Sequence, residues 1–147
     1  SQVERELTSP SIATLVDILE SLGTNLKDFF NDDVAEKIVF SKKDVFVKSN
    51  SESGSEVHWI IPNAQKNVME PIIVELDANG QSPQEDPHEG EEFGYVLRGS
   101  IMLHLGSEEF RVRSGESFYF RPSAAHYISN TGTTKARVLW VSSPPSF

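Results

Sequence analysis

Two hydrophobic periods run along this chain, and they change over near Phe30. Ile12, Leu15, Val16, Leu19 and Leu22 recur in steps of three and four, which puts them on one face of a helix over 9–23. Ser9 or Ser11 can cap its start, and Gly23 can end it in the left-handed conformation. A shorter helix follows from Asn25, a plausible cap, over 25–30, with Leu26, Phe29 and Phe30 apolar. Two short amphipathic helices cannot stand alone. They need a partner surface or belong to a larger helical unit.

After Phe30 the period becomes two. Short β-rich runs are read at 38–40, 45–47, 57–61, 71–76, 93–97, 101–105, 110–113, 117–120, 126–129 and 136–142. Turn residues separate several of them: Asn79-Gly80, Arg98-Gly99, Gly106-Ser107, Ser114-Gly115 and Thr131-Gly132. Many short strands without intervening helices predict an antiparallel sandwich or barrel. The polar stretch 49–56, with Gly54 inside it, reads as a mobile loop. No internal repeat and no glycine-rich phosphate loop is present.

Composition narrows the function classes. The chain has 147 residues, enough for one domain with a small appendage. It has no Cys, so disulfides, thiolate metal sites and thiol nucleophiles are excluded, and a cytoplasmic location fits. The formal charge is −9, and taken alone this argues against contact with nucleic acid. The acid is uneven: residues 1–36 carry 8 acidic and 2 basic side chains, against 14 and 11 in residues 37–147. No apolar run is long enough to span a bilayer, and the first residues lack the apolar core of a signal peptide, so no membrane partner is expected.

The candidate chemistry lies in two stretches. In the first, Asp86, His88 and Glu92 stand at even offsets. On a strand they would share the inner face while Glu89 and Glu91 point to water, although proline and glycine break that regularity before Glu92. In the second, 115–130, an antiparallel neighbour could bring His126 opposite the first pair. Two imidazoles and one carboxylate on one side of a metal leave other positions open, which suits Fe, Zn, Mn or Ni. Arg121, just before His126, is a candidate to grip an anionic ligand group, and Tyr95 is a second candidate ligand contact. Phe93, Tyr95 and Leu97 share the face opposite Glu92, where they could pack on a second sheet or a dimer mate. His58 and His104 read as partly exposed strand residues, Met102 as core filler, and Trp59 and Trp140 as core or interface anchors.

These stretches resemble the two cupin motifs, HxHx(3–4)Ex(6)G and Gx(5)PxGxxHx(3)N. Glu92 and Gly99 fit the first; Gly115, His126 and Asn130 fit the second. Asp86 stands where the first motif has its first His, Arg121 replaces a Pro and Ser123 a Gly. The runs HEGEEFGYVLRG and VLWVSSPPSF are similar to one group in particular: cupin domains fused to XRE-type, lambda-repressor-like helix-turn-helix regulators. The segment from Val3 to Phe30 resembles the C-terminal part of such a helix-turn-helix domain.

The resemblance implies a mainly β fold: a cupin, or double-stranded β-helix jelly-roll barrel, over 37–147. It would be preceded by a helical remnant over 1–32 of an incomplete helix-turn-helix domain, so an N-terminally truncated chain is expected. It implies a metal set of His88, Glu92 and His126, with Asp86 as a further oxygen ligand, and a divalent metal that is present in some members and not others. It implies a transcriptional regulator that senses a small-molecule effector in its barrel and works as a homodimer. DNA would be a partner of the full-length parent, not of this fragment. The alternative is a metal-dependent enzyme. An iron-dependent epoxidase acting on a hydroxyalkylphosphonate shares the layout and a triad spaced like His88, Glu92 and His126.

Overall fold

The computed structural model describes residues 37–147, so the helices expected over 9–23 and 25–30, and with them the proposed domain 1–32, lie outside the described residues. The chain divides into two compact units, Ser1–Val39 and Phe40–Phe147. Nine strands build the second: β1 (Phe46–Asn50), β2 (Ser55–Trp59), β3 (Glu70–Leu76), β4 (Glu91–Arg98), β5 (Ser100–Leu105), β6 (Glu108–Arg113), β7 (Ser117–Phe120), β8 (His126–Ser129) and β9 (Ala136–Ser143). They form a six-stranded sheet, β1-β2-β3-β9-β4-β7, and a three-stranded sheet, β6-β5-β8. Residues 81–85 add a fourth lane to the smaller sheet, with Gln81 bridging to Ser129 and Glu85 to His126. This is the mainly β jelly-roll barrel that the turn spacing and the cupin resemblance predict.

Alternation fixes which side chains fill the barrel. On β9, Ala136, Val138, Trp140 and Ser142 are buried while their neighbours face outward. On β3, Ile72, Val74 and Leu76 point in, and on β5 and β8 so do Ile101, Leu103 and Ile128. Burial of these apolar side chains is the main stabilising term, at roughly 1.5–3 kcal/mol each. On β4 the inward set is Glu92, Gly94 and Val96, so the strand turns a carboxylate toward the core.

Two expectations fail. Residues 38–40 are not a strand; Ile38 and Val39 are exposed, and Ser41 caps a short 3-10 turn, Lys42–Asp44. Stretch 49–56 is not a loop throughout: it ends β1, turns over 51–54 and starts β2, with Asn50 Oδ1 accepting from the N–H groups of Glu52 and Ser53. β1 is an edge strand exposed along its whole length. With no buried face it needs no apolar alternation, so its pattern is silent. Met102 also departs from expectation. It sits on the half-buried outer face of β5, while Ile101 and Leu103 fill the core.

Candidate functional site

Glu92 is the hub of the buried polar groups. The register of β4 places it between Phe120 of β7 and Ser142 of β9, facing the interior, where it is 1% exposed. His126 opens β8, which lies in the smaller sheet, and is fully buried. The two therefore meet across the barrel, not as cross-strand neighbours of one sheet. His88 comes from the loop before β4, anchored by its own N–H to the Pro122 carbonyl. Glu92 Oε2 lies 2.8 Å from His88 Nε2 and 3.1 Å from His126 Nε2. Its Oε1 accepts a 2.8 Å bond from Trp140 Nε1.

The imidazole tautomers follow from their far sides. His88 Nδ1 is 2.9 Å from the Glu89 carbonyl, and His126 Nδ1 is 2.9 Å from the Ala124 carbonyl. A carbonyl can only accept, so both Nδ1 atoms carry hydrogen. In the neutral rings both Nε2 atoms are then bare lone pairs, and both aim at one carboxylate oxygen. That arrangement is repulsive unless a proton or a cation lies among the three atoms. A backbone carbonyl orienting each ring through Nδ1 is also what a metal-ligating imidazole requires. His88, Glu92 and His126 thus form a donor set that fits a divalent ion of the nitrogen- and oxygen-loving kind.

Burial by itself pulls the His126 pKa down, but the hydrogen bond to Glu92, the Ala124 carbonyl and the charges of Glu92 and Glu85 outweigh it, so the net shift is upward. Burial pushes the Glu85 carboxyl up, with His126 opposing. Both groups hold their protons more tightly folded than unfolded. Stability from His126 is therefore full below its ordinary value of 6.5 and is lost as pH rises through the raised one; Glu85 acts in the same sense from 4.5 upward. In the presence of a chelator, the urea midpoint is expected to fall between about pH 6 and about pH 8.5. A midpoint that rises over this interval would contradict the upward shift of His126.

The other candidate residues lie apart from this centre. Asp86 is exposed and outside the His88–Glu92–His126 group. Its neighbour Glu85 takes the inward place, because Glu85 and His126 exchange both backbone hydrogen bonds, and directly paired residues send their side chains to one face. Pro87 then breaks the alternation before His88. Arg121 is mostly exposed, with its guanidinium 3.1 Å from Glu91 Oε2; Tyr119 also donates to Glu91. Arg121 and His88 line one shallow surface groove. Tyr95 lies on the outer face of β4 with Phe93 and Leu97. Sequence reasoning missed Glu85, and it missed Trp140 as the donor that holds Glu92. The pairing of 81–85 with β8 was the signal for the first, and it is invisible until the barrel closes.

His58 and His104 are half-buried strand residues. His58 pairs with Glu56, and His104 stacks on Tyr127 with Nε2 2.8 Å from Ser129 Oγ. Glu56, His58 and Glu75 form a second cluster of metal-competent groups. Its acids already have Ser49 and Arg137 as partners. Asn130, the last residue of the second motif, is buried. It donates to the Leu76 and Thr134 carbonyls and accepts from Gly132, closing the β8–β9 loop onto β3.

A cavity of about 250 Å³ opens beside the centre. Its walls are mainly apolar, with Trp59, Ile72, Val74, Trp140 and Phe147 among them, and Glu85 and Lys48 are its charged members. Trp140 is shared: one side of the indole forms cavity wall while its N–H holds Glu92.

Comparison with known proteins agrees with this fold. Residues 72–142 match the family model of the Cupin domain. The HTH-type transcriptional regulator PuuR of Escherichia coli is 28% identical over the whole chain and 80% of its own length. An HTH_3 family transcriptional regulator from Vibrio cholerae shares the fold, with a TM-score of 0.58 and 24% identity, over 99% of this chain and 78% of that one. The polyketide cyclase RemF from Streptomyces resistomycificus also has a TM-score of 0.58 with 24% identity, over 75% of this chain and 83% of its own. One barrel thus serves a regulator and an enzyme, and the fold alone does not choose between them.

Proposed function

Because this chain is a cupin-domain protein, we propose that it is the sensory part of a helix-turn-helix transcriptional regulator, with the barrel cavity taking a small-molecule effector. The observation that carries this reading is similarity to PuuR over the full chain, the region before the barrel included. The cavity supports it, being small, mostly apolar and edged by few charges, as small-molecule sites are. Residues 1–32 would form part of the DNA-binding domain and 37–147 the effector domain. DNA is then a partner of the complete regulator, and the cytoplasm its place of work.

His88, Glu92 and His126 would hold a divalent metal, which could supply a Lewis-acidic contact for an effector oxygen. Asp86 and Arg121 would act at the rim, Arg121 by drawing an anionic group toward the His88 side. Metal uptake would compete with the proton that His126 holds more tightly in the fold, so affinity for Zn²⁺ is expected to rise with pH, against the slope seen with chelator.

The regulator would act as a homodimer, since operator half-sites lie about one DNA turn apart. The outer face of the larger sheet offers the surface. Phe93 is paired with Tyr119 and Val141, and Tyr95 with Leu139, giving an apolar patch in which Phe93, Tyr95, Leu97 and Tyr119 are exposed. On this reading Tyr95 is an interface residue as well as a ligand candidate.

Selection from random DNA by the protein with its complete helix-turn-helix domain tests the proposal. Enrichment of a two-fold symmetric site is expected, and Tyr95→Arg should give monomers by sedimentation and lose that enrichment. The enzyme reading keeps one supporting observation, the two-His, one-Glu centre itself. Turnover of a phosphonate by the iron-loaded protein, with no DNA selected, would replace the regulator by the enzyme.

A further inference from the structure

Strand β9 ends at Ser143, and the following residues leave the sheet and bring Phe147 to the cavity wall. Their attachment is unusual. The N–H groups of Ser146 and Phe147 both donate to one side-chain atom, Glu70 Oε1, at 3.1 and 2.8 Å. Glu70 opens β3 opposite Ser142 and is 1% exposed; its Oε2 is buried without a hydrogen-bond partner among the described residues. Within the segment, Ser142 Oγ donates to the Pro144 carbonyl and lies 2.7 Å from Ser146 Oγ. At its root, Gly90 packs so closely that a Cβ there would sit 2.1 Å from the Ser143 carbonyl oxygen. The Phe147 ring meets Trp140 edge-on, with centroids 5.2 Å apart, and forms part of the cavity wall.

We propose that residues 144–147 are a strap across the mouth of the cavity, with Phe147 as its plug and Glu70 as its latch, and that a small molecule with an apolar body enters by displacing Phe147. The argument is one of attachment. A segment inside a sheet is held by a ladder, so freeing it costs much of the global stability. A segment outside the ladder, whose N–H groups at 146 and 147 share one carboxylate, can open locally while the barrel stays folded. The latch carboxylate is itself half-satisfied, which lowers the cost of letting go. The plug also touches a residue that links cavity to centre. A ligand replacing the Phe147 ring would lie against Trp140, whose N–H holds Glu92. The strap therefore selects ligands by the face they offer to Trp140. Its role as a gate rests on the effector reading of the cavity, but its mechanics do not.

Trp59→Phe leaves Trp140 as the sole tryptophan, since the chain has two. In that background, quenching by acrylamide is expected to be weak and to rise severalfold in Phe147→Ala and Glu70→Ala, with the urea midpoint of Phe147→Ala little changed. Hydrogen exchange should show the Ser146 and Phe147 amides protected, and about tenfold or more less so in Glu70→Ala, while β9 amides keep their protection. Unprotected amides in the parent, or quenching that grows only as far as a lowered midpoint accounts for, would overturn the strap. If Glu70→Ala does not fold, Phe147→Ala decides: unchanged quenching refutes the plug. None of these measurements uses an effector, so failure to find one leaves the result intact.

Discussion

Replacing Glu92 with alanine is expected to abolish measurable Zn²⁺ binding and to lower stability by about 3–5 kcal/mol. The reason is the number of groups one carboxylate serves. Oε2 faces both Nε2 atoms, and Oε1 accepts from Trp140. Without it, His126 and Trp140, both almost fully buried, keep polar atoms that have lost their side-chain partner. His88, with its side chain 23% exposed, can turn to solvent instead, so His88→Ala should cost far less stability while still removing one of the proposed metal ligands. Glu92→Gln separates the two effects. It keeps an acceptor for the Trp140 N–H but offers a poor metal ligand, so the fold should recover more than the affinity does. Calorimetric titration with Zn²⁺ and urea unfolding of the three variants check this. If Glu92→Ala bound Zn²⁺ as the parent does, the donor set would be wrong. If it were as stable as the parent, the buried hub would be.

Substituting Gly94 is expected to be nearly as damaging, and for a steric reason. Gly94 is on the inward face of β4, directly opposite Phe118 and Trp140. A Cβ there would lie 2.0 Å from Cζ of Phe118, inside the ring's own volume. Phe118 cannot swing away freely, because it packs edge-on against Trp140 and against Phe120, which in turn meets His126. Gly94→Ala should cost about 1–3 kcal/mol and Gly94→Val more, with the metal affinity falling alongside as Trp140 is pushed off Glu92. The combination Gly94→Ala/Phe118→Leu should recover part of the loss, since the smaller side chain vacates the space. Full stability in Gly94→Ala alone would show that the ring is not pinned.

Glu92 and Gly94 also show how much could be read from the chain. The run from Glu92 to Gly99 is recognisable as a cupin motif, and alternation along β4 correctly turns Glu92 inward, since its flanking positions are regular. The same reasoning is unreliable at Asp86, because Pro87 and Gly90 interrupt the strand period before it reaches Glu92. There the structure places Glu85, not Asp86, on the side of His126. His126 was legible as a partner of Glu92, but not by the route expected, since the two residues belong to different sheets. The β1–β2 hairpin was legible only in part: the runs at 45–47 and 57–61 overlap its strands, but the exposed end of β1 carries no hydrophobic signature, so 49–56 reads as a loop.

The sequence by itself determined the change of period near Phe30, the many-stranded barrel, the family of the barrel and the three residue types at its centre. These are local or pairwise-periodic signals: which side of a strand is apolar, where glycine permits a turn, and which donors recur at motif spacing. Only the tertiary structure decided what those residues face. It directed both bare Nε2 atoms at one oxygen of Glu92, made Trp140 both cavity wall and hydrogen-bond donor, and hung residues 146 and 147 on Glu70. Apart from His88, four positions before Glu92, each is a contact between residues 34 to 77 positions apart. No period within a strand encodes such a contact, because it is set by how two sheets close on each other, and closure is a property of the whole chain.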